Sequence, residues 1–163
     1  QRLFNMDDEA TQKLTINIHN NASFAYVPHP VVPHENSNFK SSAAITIGEN
    51  SQIIISEIIT CGRKHSGEVF KLKRFQNLTK IYHQNKLVVK DTHQGSFIFF
   101  STKPETDKVT LVETLLETAK KHTNVEIGIS VLDGNGFVIR ALSQGGEAMY
   151  NYFLAAQDLL WEL

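Results

Sequence analysis

The sequence is poor in the features that mark several large classes of protein. It has one cysteine, Cys61, among 163 residues, which excludes an internal disulfide framework and is typical of a reducing compartment. No apolar run approaches the roughly 18 residues that a membrane-spanning helix needs. The net charge is −1 and there is no basic block, which disfavours nucleic-acid binding. These absences favour a protein of a reducing compartment that has neither membrane nor nucleic acid as a partner.

The familiar motifs of catalysis are also missing. There is no G-x-S-x-G nucleophile motif and no glycine-rich phosphate loop. The segment DGNG at residues 133–136 lacks the remaining ligands of an EF-hand and is explained by a hairpin turn. The sequence therefore predicts a binding scaffold rather than an enzyme.

Length and apolar content predict a single domain over residues 1–163. Hydrophobic residues make up 41% of the chain, which is enough to fill a core. The first residue is Gln1 rather than methionine, and the residues after it already have the pattern of folded chain. We therefore expect an N-terminal part to be missing.

The first hundred residues have the pattern of β-strands and contain a repeat. Residues 11–27 read as strand, turn and strand, and residues 45–59 repeat this plan at an offset of 29 residues, so that Ile16 corresponds to Ile45 and Phe24 to Ile53. We interpret each copy as a hairpin, and residues 80–90 as a third, weaker copy. Recurrence of one unit predicts stacked sheets or a β-solenoid.

The C-terminal third changes character. Residues 96–100 predict a buried strand, and apolar residues at helical spacing predict a helix from about residue 107 to residue 122, capped by Thr106 or Asp107. A hairpin over 125–142 and a terminal helix over 147–163 follow. The predicted fold is mainly β, with stacked antiparallel or solenoid-like (β-helix-like) sheets and a helix–hairpin–helix subregion at 105–163.

Two polar loops lie beside the repeated strands. The first has three prolines in six residues, Pro28, Pro30 and Pro33, which fix φ and make the loop stiff. Beside them His29, His34 and Glu35 form H-x4-H-E, which can hold a divalent metal weakly but has no fixed geometry on a bent loop. The loop is therefore either a transient metal site or a structural element.

Two carboxylates near these loops are further candidates. Glu57 lies in the apolar run 53–59, where a charge needs a partner, so it either faces solvent, pairs with a cation or has a function. Glu68 lies where the chain is predicted to re-enter a strand, directly after the second loop, residues 62–67. In that loop Arg63 can fork onto a carboxylate or onto a partner's carbonyl groups.

The combined motifs resemble those of a known family. The segments are YVPHPVVP at 26–33, SNF at 37–39, SEII at 56–59 and GRKHSGEVF at 62–70, with Asp91 after a short apolar strand and ISVL and VIRAL in the C-terminal hairpin. In these segments the chain resembles the urease accessory proteins called UreD, or UreH in some organisms.

The resemblance implies a fold, a function and a set of partners. It implies a mainly β, non-enzymatic cytosolic scaffold that binds UreF and, through it, the GTPase UreG, docks on apo-urease as part of a hetero-oligomer and allows nickel insertion. It also implies that an N-terminal part and a loop where Thr92 meets His93 are missing. No cofactor would be tightly bound. Nickel would be handled transiently, with His29, His34, Glu57 and Glu68 as candidate ligands. The structural or partner-facing loop residues would be Pro28, Pro30, Pro33, Phe39, Gly62, Arg63, Gly67, Phe70 and Asp91.

Two alternatives from other classes stay open. A carbohydrate-active β-solenoid enzyme would need two carboxylates about 5–10 Å apart, and Glu57 and Glu68 are the candidates that the sequence offers. The other alternative is a structural interaction module with no role for a metal.

Overall fold

In a computed structural model, which describes residues 1–104 and 107–161, the chain forms eleven β-strands and two α-helices. No helix in these residues is long and apolar enough to cross a membrane. The elements in chain order are β1 (Arg2–Leu3), β2 (Ala10–Ile18), β3 (Ser23–Tyr26), β4 (Val32–Pro33), β5 (Asn38–Ile47), β6 (Gln52–Glu57), β7 (Arg74–His83), β8 (Lys86–Asp91), β9 (Ser96–Ser101), α1 (Lys108–Lys120), β10 (Val125–Leu132), β11 (Asn135–Ser143) and α2 (Gly146–Trp161).

The strands form two large sheets and one short pair. A four-stranded sheet has the order β2-β5-β7-β8, and a five-stranded sheet has the order β10-β11-β9-β6-β3. Strands β1 and β4 pair with each other. The pairs β2-β5, β5-β7 and β3-β6 are parallel, whereas β7-β8, β6-β9, β9-β11 and β10-β11 are antiparallel. Both sheets are therefore mixed.

The five-stranded sheet is the middle of three layers. On one face Ile54, Phe97 and Phe99 pack against buried side chains of α1 and α2. On the other face Ile53 and Ile98 pack against the four-stranded sheet. Because both faces are covered, β6 and β9 carry continuous apolar runs instead of alternating ones.

The predicted repeat is present as a register between neighbouring strands. Ile16 of β2 lies opposite Ile45 of β5, and Phe24 of β3 lies opposite Ile53 of β6, so equivalent residues of the two copies are stacked in parallel. The turns stack as well: Asn21 and Asn50 both have φ near the left-handed region, and the Asn50 side-chain amide donates to Asn21 Oδ1 at 2.7 Å. Asparagine tolerates this backbone conformation, which explains its place in both turns.

The interpretation of each copy as a hairpin was wrong. Strand β2 lies in the four-stranded sheet and β3 in the five-stranded sheet, and likewise β5 and β6 are in different sheets. The turn between them carries the chain from one layer to the next. A strand–turn–strand pattern has the same local chemistry in both arrangements, so the sequence did not distinguish them.

A mainly β fold with two helices is confirmed, but the solenoid-like detail is not supported. Only the first strand of the third copy stacks. Strand β7 pairs in parallel with β5, with Ile81 opposite Ile45, but it then forms an antiparallel hairpin with β8 through Gln84 and Asn85, both at positive φ. Strand β9 also pairs antiparallel with β6. Stacking of complete strand–turn–strand units thus ends after two copies, and the sheets remain open.

The C-terminal elements follow the predicted order of helix, hairpin and helix. The Asp107 carboxylate caps α1 by accepting hydrogen bonds from the backbone amides of Val109 and Thr110 at 3.1 and 3.2 Å. Thr106, the alternative cap, lies outside the described residues, as do Glu105, Glu162 and Leu163. The single-domain boundaries, the missing N-terminal part and the missing loop near residues 92–93 stay predictions.

Candidate functional site

A row of polar side chains crosses the inner face of the five-stranded sheet. Ile53 and Ile55 of β6 point toward the four-stranded sheet, and the two-residue period of a strand places Glu57 on the same face. Glu57 lies opposite Ser96 of β9, which in turn lies opposite Arg140 of β11. The apolar layer between the sheets therefore ends in a polar row.

A small cavity opens between the sheets beside Glu57. Its volume is about 60 Å³, which accommodates water or a small ion but lies below the roughly 300 Å³ of ordinary small-molecule pockets. Polar side chains of both sheets line it, together with the proline loop at Pro28 and His29. The polar lining residues of the two sheets are Gln12, Tyr26, Ser41, Ser56, Glu57, Asn77, Thr79 and Ser96.

Glu57 is held in its neutral form near pH 7. Burial, the larger cause, and the negative charge of Asp91 together raise the pKa of its carboxyl group to about 8. Glu57 Oε2 is buried and makes no hydrogen bond within the described residues. A largely buried acid without a hydrogen-bond partner is costly for the fold, which makes Glu57 the strongest candidate here for a group with a function.

Asp91 is buried at the end of β8 and pairs with a cation from the other sheet. Arg140 of β11 donates from both guanidinium nitrogens, Nη1 to Oδ2 at 3.2 Å and Nη2 to Oδ1 at 2.5 Å. His93 Nδ1 lies 3.0 Å from Asp91 Oδ1. The predictions did not include Arg140 in the site. The sequence feature that could have indicated Arg140 is its position as the one cation in the apolar run 137–141, on the inward face of the strand.

The fork predicted for Arg63 is present, and its acceptor is Glu68. Arg63 Nε donates to Glu68 Oε2 at 2.9 Å, and its Nη2 donates to Oε1. The backbone amide of Glu35 donates to Glu68 Oε2 at 3.1 Å. The hydrogen bonds from Arg63 lower the pKa of Glu68 to about 2. Glu68 therefore ties the proline loop to the second loop.

The two histidines have different surroundings. His34 is buried with its ring 5.0 Å from that of Phe4, and its Nε2 makes no hydrogen bond within the described residues. His34 also lies near Glu68, since a positive charge on its ring lowers the pKa of the Glu68 carboxyl group. His29 is exposed and lies with its ring 4.5 Å from the ring of Tyr150.

The four candidate nickel ligands thus lie in two regions. Glu57 and His29 both line the cavity, where His29 also contacts α2, whereas His34 lies with Glu68. Within residues 1–104 and 107–161, no three or more His, Cys, Asp or Glu side chains converge in a way that could hold a metal ion. A transient role for the four residues stays a prediction.

Backbone geometry explains several of the predicted loop residues. Gly62 has φ of 110°, and a Cβ there would lie 2.6 Å from the carbonyl oxygen of Glu68, so only glycine fits. Gly67, also at positive φ, closes the 3-10 turn at Lys64–Ser66. Phe39 packs on Phe75 of the neighbouring strand at 5.8 Å.

Of the remaining predicted loop residues, the three prolines are packed against other parts of the protein, whereas Phe70 is exposed. Pro33 is buried and pairs with Leu3 in the short parallel sheet. Pro30 lies close to Gly146 at the start of α2, and Pro28 lines the cavity. Phe70, in contrast, is 73% exposed.

Comparison with known proteins gives consistent matches. The family model described as UreD urease accessory protein matches residues 1–163. The chain is 39% identical to the urease accessory protein UreD of Flavobacterium johnsoniae, over 99% of this chain and 65% of that protein. It is 30% identical to UreD of Bacillus cereus, over 94% of this chain and 62% of that protein.

A relative with the other family name also matches. The urease accessory protein UreH of Helicobacter hepaticus is 28% identical over 90% of this chain and 63% of its own length. The chain thus spans less than two thirds of the length of these relatives.

Proposed function

Because the chain belongs to the UreD family of urease accessory proteins, we propose that it acts as a maturation factor of urease and not as an enzyme. The observation that carries this proposal is the family match over the whole described chain. The names of the relatives describe accessory proteins, which supports a non-catalytic role.

We further propose that the partners are UreF, the GTPase UreG through UreF, and apo-urease, in a cytoplasmic hetero-oligomer. The two loops support a docking role because they are rigid before a partner arrives. The ion pair between Arg63 and Glu68 and the hydrogen bond from Glu35 hold them together. A surface that is already ordered loses less conformational entropy on binding.

In this proposal nickel is the cargo, and Glu57 is the residue best placed to meet it inside the protein. The Glu57 carboxyl group faces a polar cavity, lacks a hydrogen-bond partner on Oε2 and lies near a second carboxylate, Asp91. Oxygen and imidazole ligands suit a borderline divalent cation. Entry of Ni²⁺ would displace the proton of Glu57, so weak binding at this place would also be strongly pH-dependent.

The alternative of a carbohydrate-active enzyme is less well supported. Glu68 is paired with Arg63, and Glu57 lines the cavity between the sheets. The cavity at Glu57, about 60 Å³, is too small for the pocket of a typical organic ligand. The two carboxylates therefore do not form an open pair for glycoside hydrolysis.

Activation of urease in a host that encodes it tests the proposed function. Deleting the coding region is expected to leave urease subunit levels unchanged but to remove most urease activity and bound nickel. The full-length protein, supplied in trans, should restore both. Full activity and nickel content in the deletion strain would contradict the proposal.

Nickel titration tests the proposed cargo contact separately. Isothermal titration of Ni²⁺ into the full-length protein should give weak binding that falls in a Glu57→Gln variant. Glu126→Gln, which removes an exposed carboxylate of β10, is the matched control. Equal binding by the Glu57→Gln variant and the unmodified protein would exclude Glu57 as a ligand without affecting the maturation proposal.

A further inference from the structure

A second, larger concavity lies on the outside of the protein, away from the space between the sheets. It runs between the segment 59–70 and the end of β11 with the turn that leads into α2. Its volume is about 1090 Å³, at the upper limit of the roughly 300–1,000 Å³ of small-molecule pockets. We call it the basic groove, and its lining includes Arg2, Arg63, Lys64, Phe70, Leu142 and Met149.

The charge of the basic groove is of one sign. Arg2, Arg63 and Lys64 line it together with His34 and His65, and no Asp or Glu is among the described residues that line it. Arg63 is paired with Glu68, whereas Arg2 and Lys64 form no ion pair in the part of the chain that the structure describes. The chain as a whole has a net charge of −1. The groove is therefore a local positive region, which attracts negative segments.

Large apolar side chains stand exposed along the same groove. Phe70 and Leu142 are each 73% exposed, and Val69 is 47% exposed. Apolar side chains grouped around a concavity, with charged neighbours, are typical of a protein interaction site.

The backbone holds Phe70 in this exposed position against its own preference. Phe70 has φ of 53°, a left-handed conformation that is unfavourable for a bulky residue. Its amide donates to the carbonyl oxygen of Cys61 at 2.6 Å, which fixes the conformation. A strained backbone that presents an exposed aromatic ring is more typical of function than of stability.

We propose that the basic groove binds an extended, acidic segment of another protein that carries at least one aromatic or aliphatic anchor. The acidic side chains of the segment pair with Lys64 and Arg2, and the anchor packs against Phe70 and Leu142. The positive charge of the groove favours an acidic occupant. The exposed ring of Phe70, which the backbone holds in place, provides an apolar contact for the anchor. The inference does not depend on a role in urease maturation, because it uses only the groove itself.

Fluorescence anisotropy with defined peptides tests the proposal. The probe is a fluorescein-labelled peptide of Glu and Asp with two central Phe residues, added to the full-length protein. One control peptide has Lys in place of every acidic residue, and another has Ala in place of both Phe residues. We expect the acidic Phe peptide to bind and neither control peptide to do so. The affinity of the acidic Phe peptide should fall as the salt concentration is raised. Absence of binding, or equal binding of the Lys peptide, would overturn the proposal.

Groove variants locate the binding. Phe70→Ser and Lys64→Glu should each weaken the peptide about tenfold or more. Leu87→Ser and Lys86→Glu, which change exposed residues of the distant β7-β8 hairpin, should have no effect. If Phe70→Ser does not fold, Leu142→Ser examines the same surface. Equal loss in the hairpin variants would contradict the assignment.

The oligomeric state of the protein tests whether a second copy of this chain, and not a segment of another protein, occupies the basic groove. Analytical ultracentrifugation should show that Phe70→Ser leaves the oligomeric state of the protein unchanged. Self-association that Phe70→Ser abolishes would mean that a second copy of this chain fills the groove, and the proposal would then be wrong.

Discussion

At the scale of single residues, Glu57 shows how a buried acid makes stability depend on pH. Its pKa is about 8 in the folded chain, against 4.5 as the ordinary value. Between these values the folded state keeps a proton that the unfolded state releases. The contribution of this proton to stability is complete below pH 4.5 and is lost as the pH rises toward 8.

Glu57→Gln should therefore stabilise the protein in alkaline solution. Each pKa unit corresponds to about 1.4 kcal/mol. We expect a gain of about 3 kcal/mol in the free energy of unfolding at pH 8, less than the full shift because Glu57 is not completely buried. Near pH 5 the two proteins should be almost equally stable. Urea denaturation across this pH range measures the difference, and a gain that does not vary with pH would contradict the interpretation. Glu126→Gln is the control.

Phe70 is a residue where stability and function should oppose each other. Its left-handed backbone is held by the hydrogen bond to Cys61, and its ring contributes little to the core because it is mostly exposed. Asparagine adopts this conformation more readily. Phe70→Asn should raise stability by about 1 kcal/mol while it removes the anchor contact in the basic groove. Thermal denaturation of the variant beside Leu87→Asn checks the first effect, and a lowered Tm would contradict it.

At the scale of elements, α2 is held to the central sheet by apolar packing and to α1 by packing with a hydrogen bond. Phe153 of α2 is fully buried and lies 5.3 Å, ring to ring, from Phe97 of the central sheet. The neighbouring Tyr152 is also fully buried, and its hydroxyl donates to the carbonyl oxygen of Leu115 in α1 at 3.3 Å. Burial raises the pKa of Tyr152, so its hydroxyl stays protonated as a donor.

Substitutions of Phe153 and Tyr152 should lower the free energy of unfolding by very different amounts. Phe153→Ala creates a cavity in the core and should cost about 3–5 kcal/mol. Tyr152→Phe removes one long hydrogen bond to a carbonyl group within α1 and should cost about 0.5–1.5 kcal/mol. Urea denaturation of both variants measures the ratio. A larger cost for Tyr152→Phe than for Phe153→Ala would mean that the hydroxyl, and not the apolar packing, holds α2 in place.

The elements also show what a sequence alone predicts. The repeat offset, the hairpin turn at residues 133–136 and the buried strand at 96–100 follow from local patterns, and each is present. The assignment of β2 and β3 to different sheets depends on which strands arrive beside them later in the chain, and local turn chemistry carries no such information. In the same way Glu57 was recognisable as a carboxylate in an apolar strand. Its electrostatic neighbour Asp91 and the cation Arg140 come from distant strands.

At the scale of the whole molecule, the ion pair between Asp91 and Arg140 connects two layers. Asp91 ends β8 of the four-stranded sheet, and Arg140 belongs to β11 of the five-stranded sheet. The Asp91 side chain is only 3% exposed. Removing its partner would leave a buried charge without compensation, next to the buried acid Glu57.

Arg140→Met should therefore destabilise the protein by about 3 kcal/mol, the lower end for buried pairs, since Arg140 is partly exposed. The double variant Arg140→Met with Asp91→Asn should recover part of this loss, because no buried charge remains. Urea denaturation of the two single variants and the double variant forms a double-mutant cycle that isolates the coupling. Additive effects would show that the two sheets are held by apolar packing alone, and that the polar row at the end of the core serves the cavity rather than the cohesion of the layers.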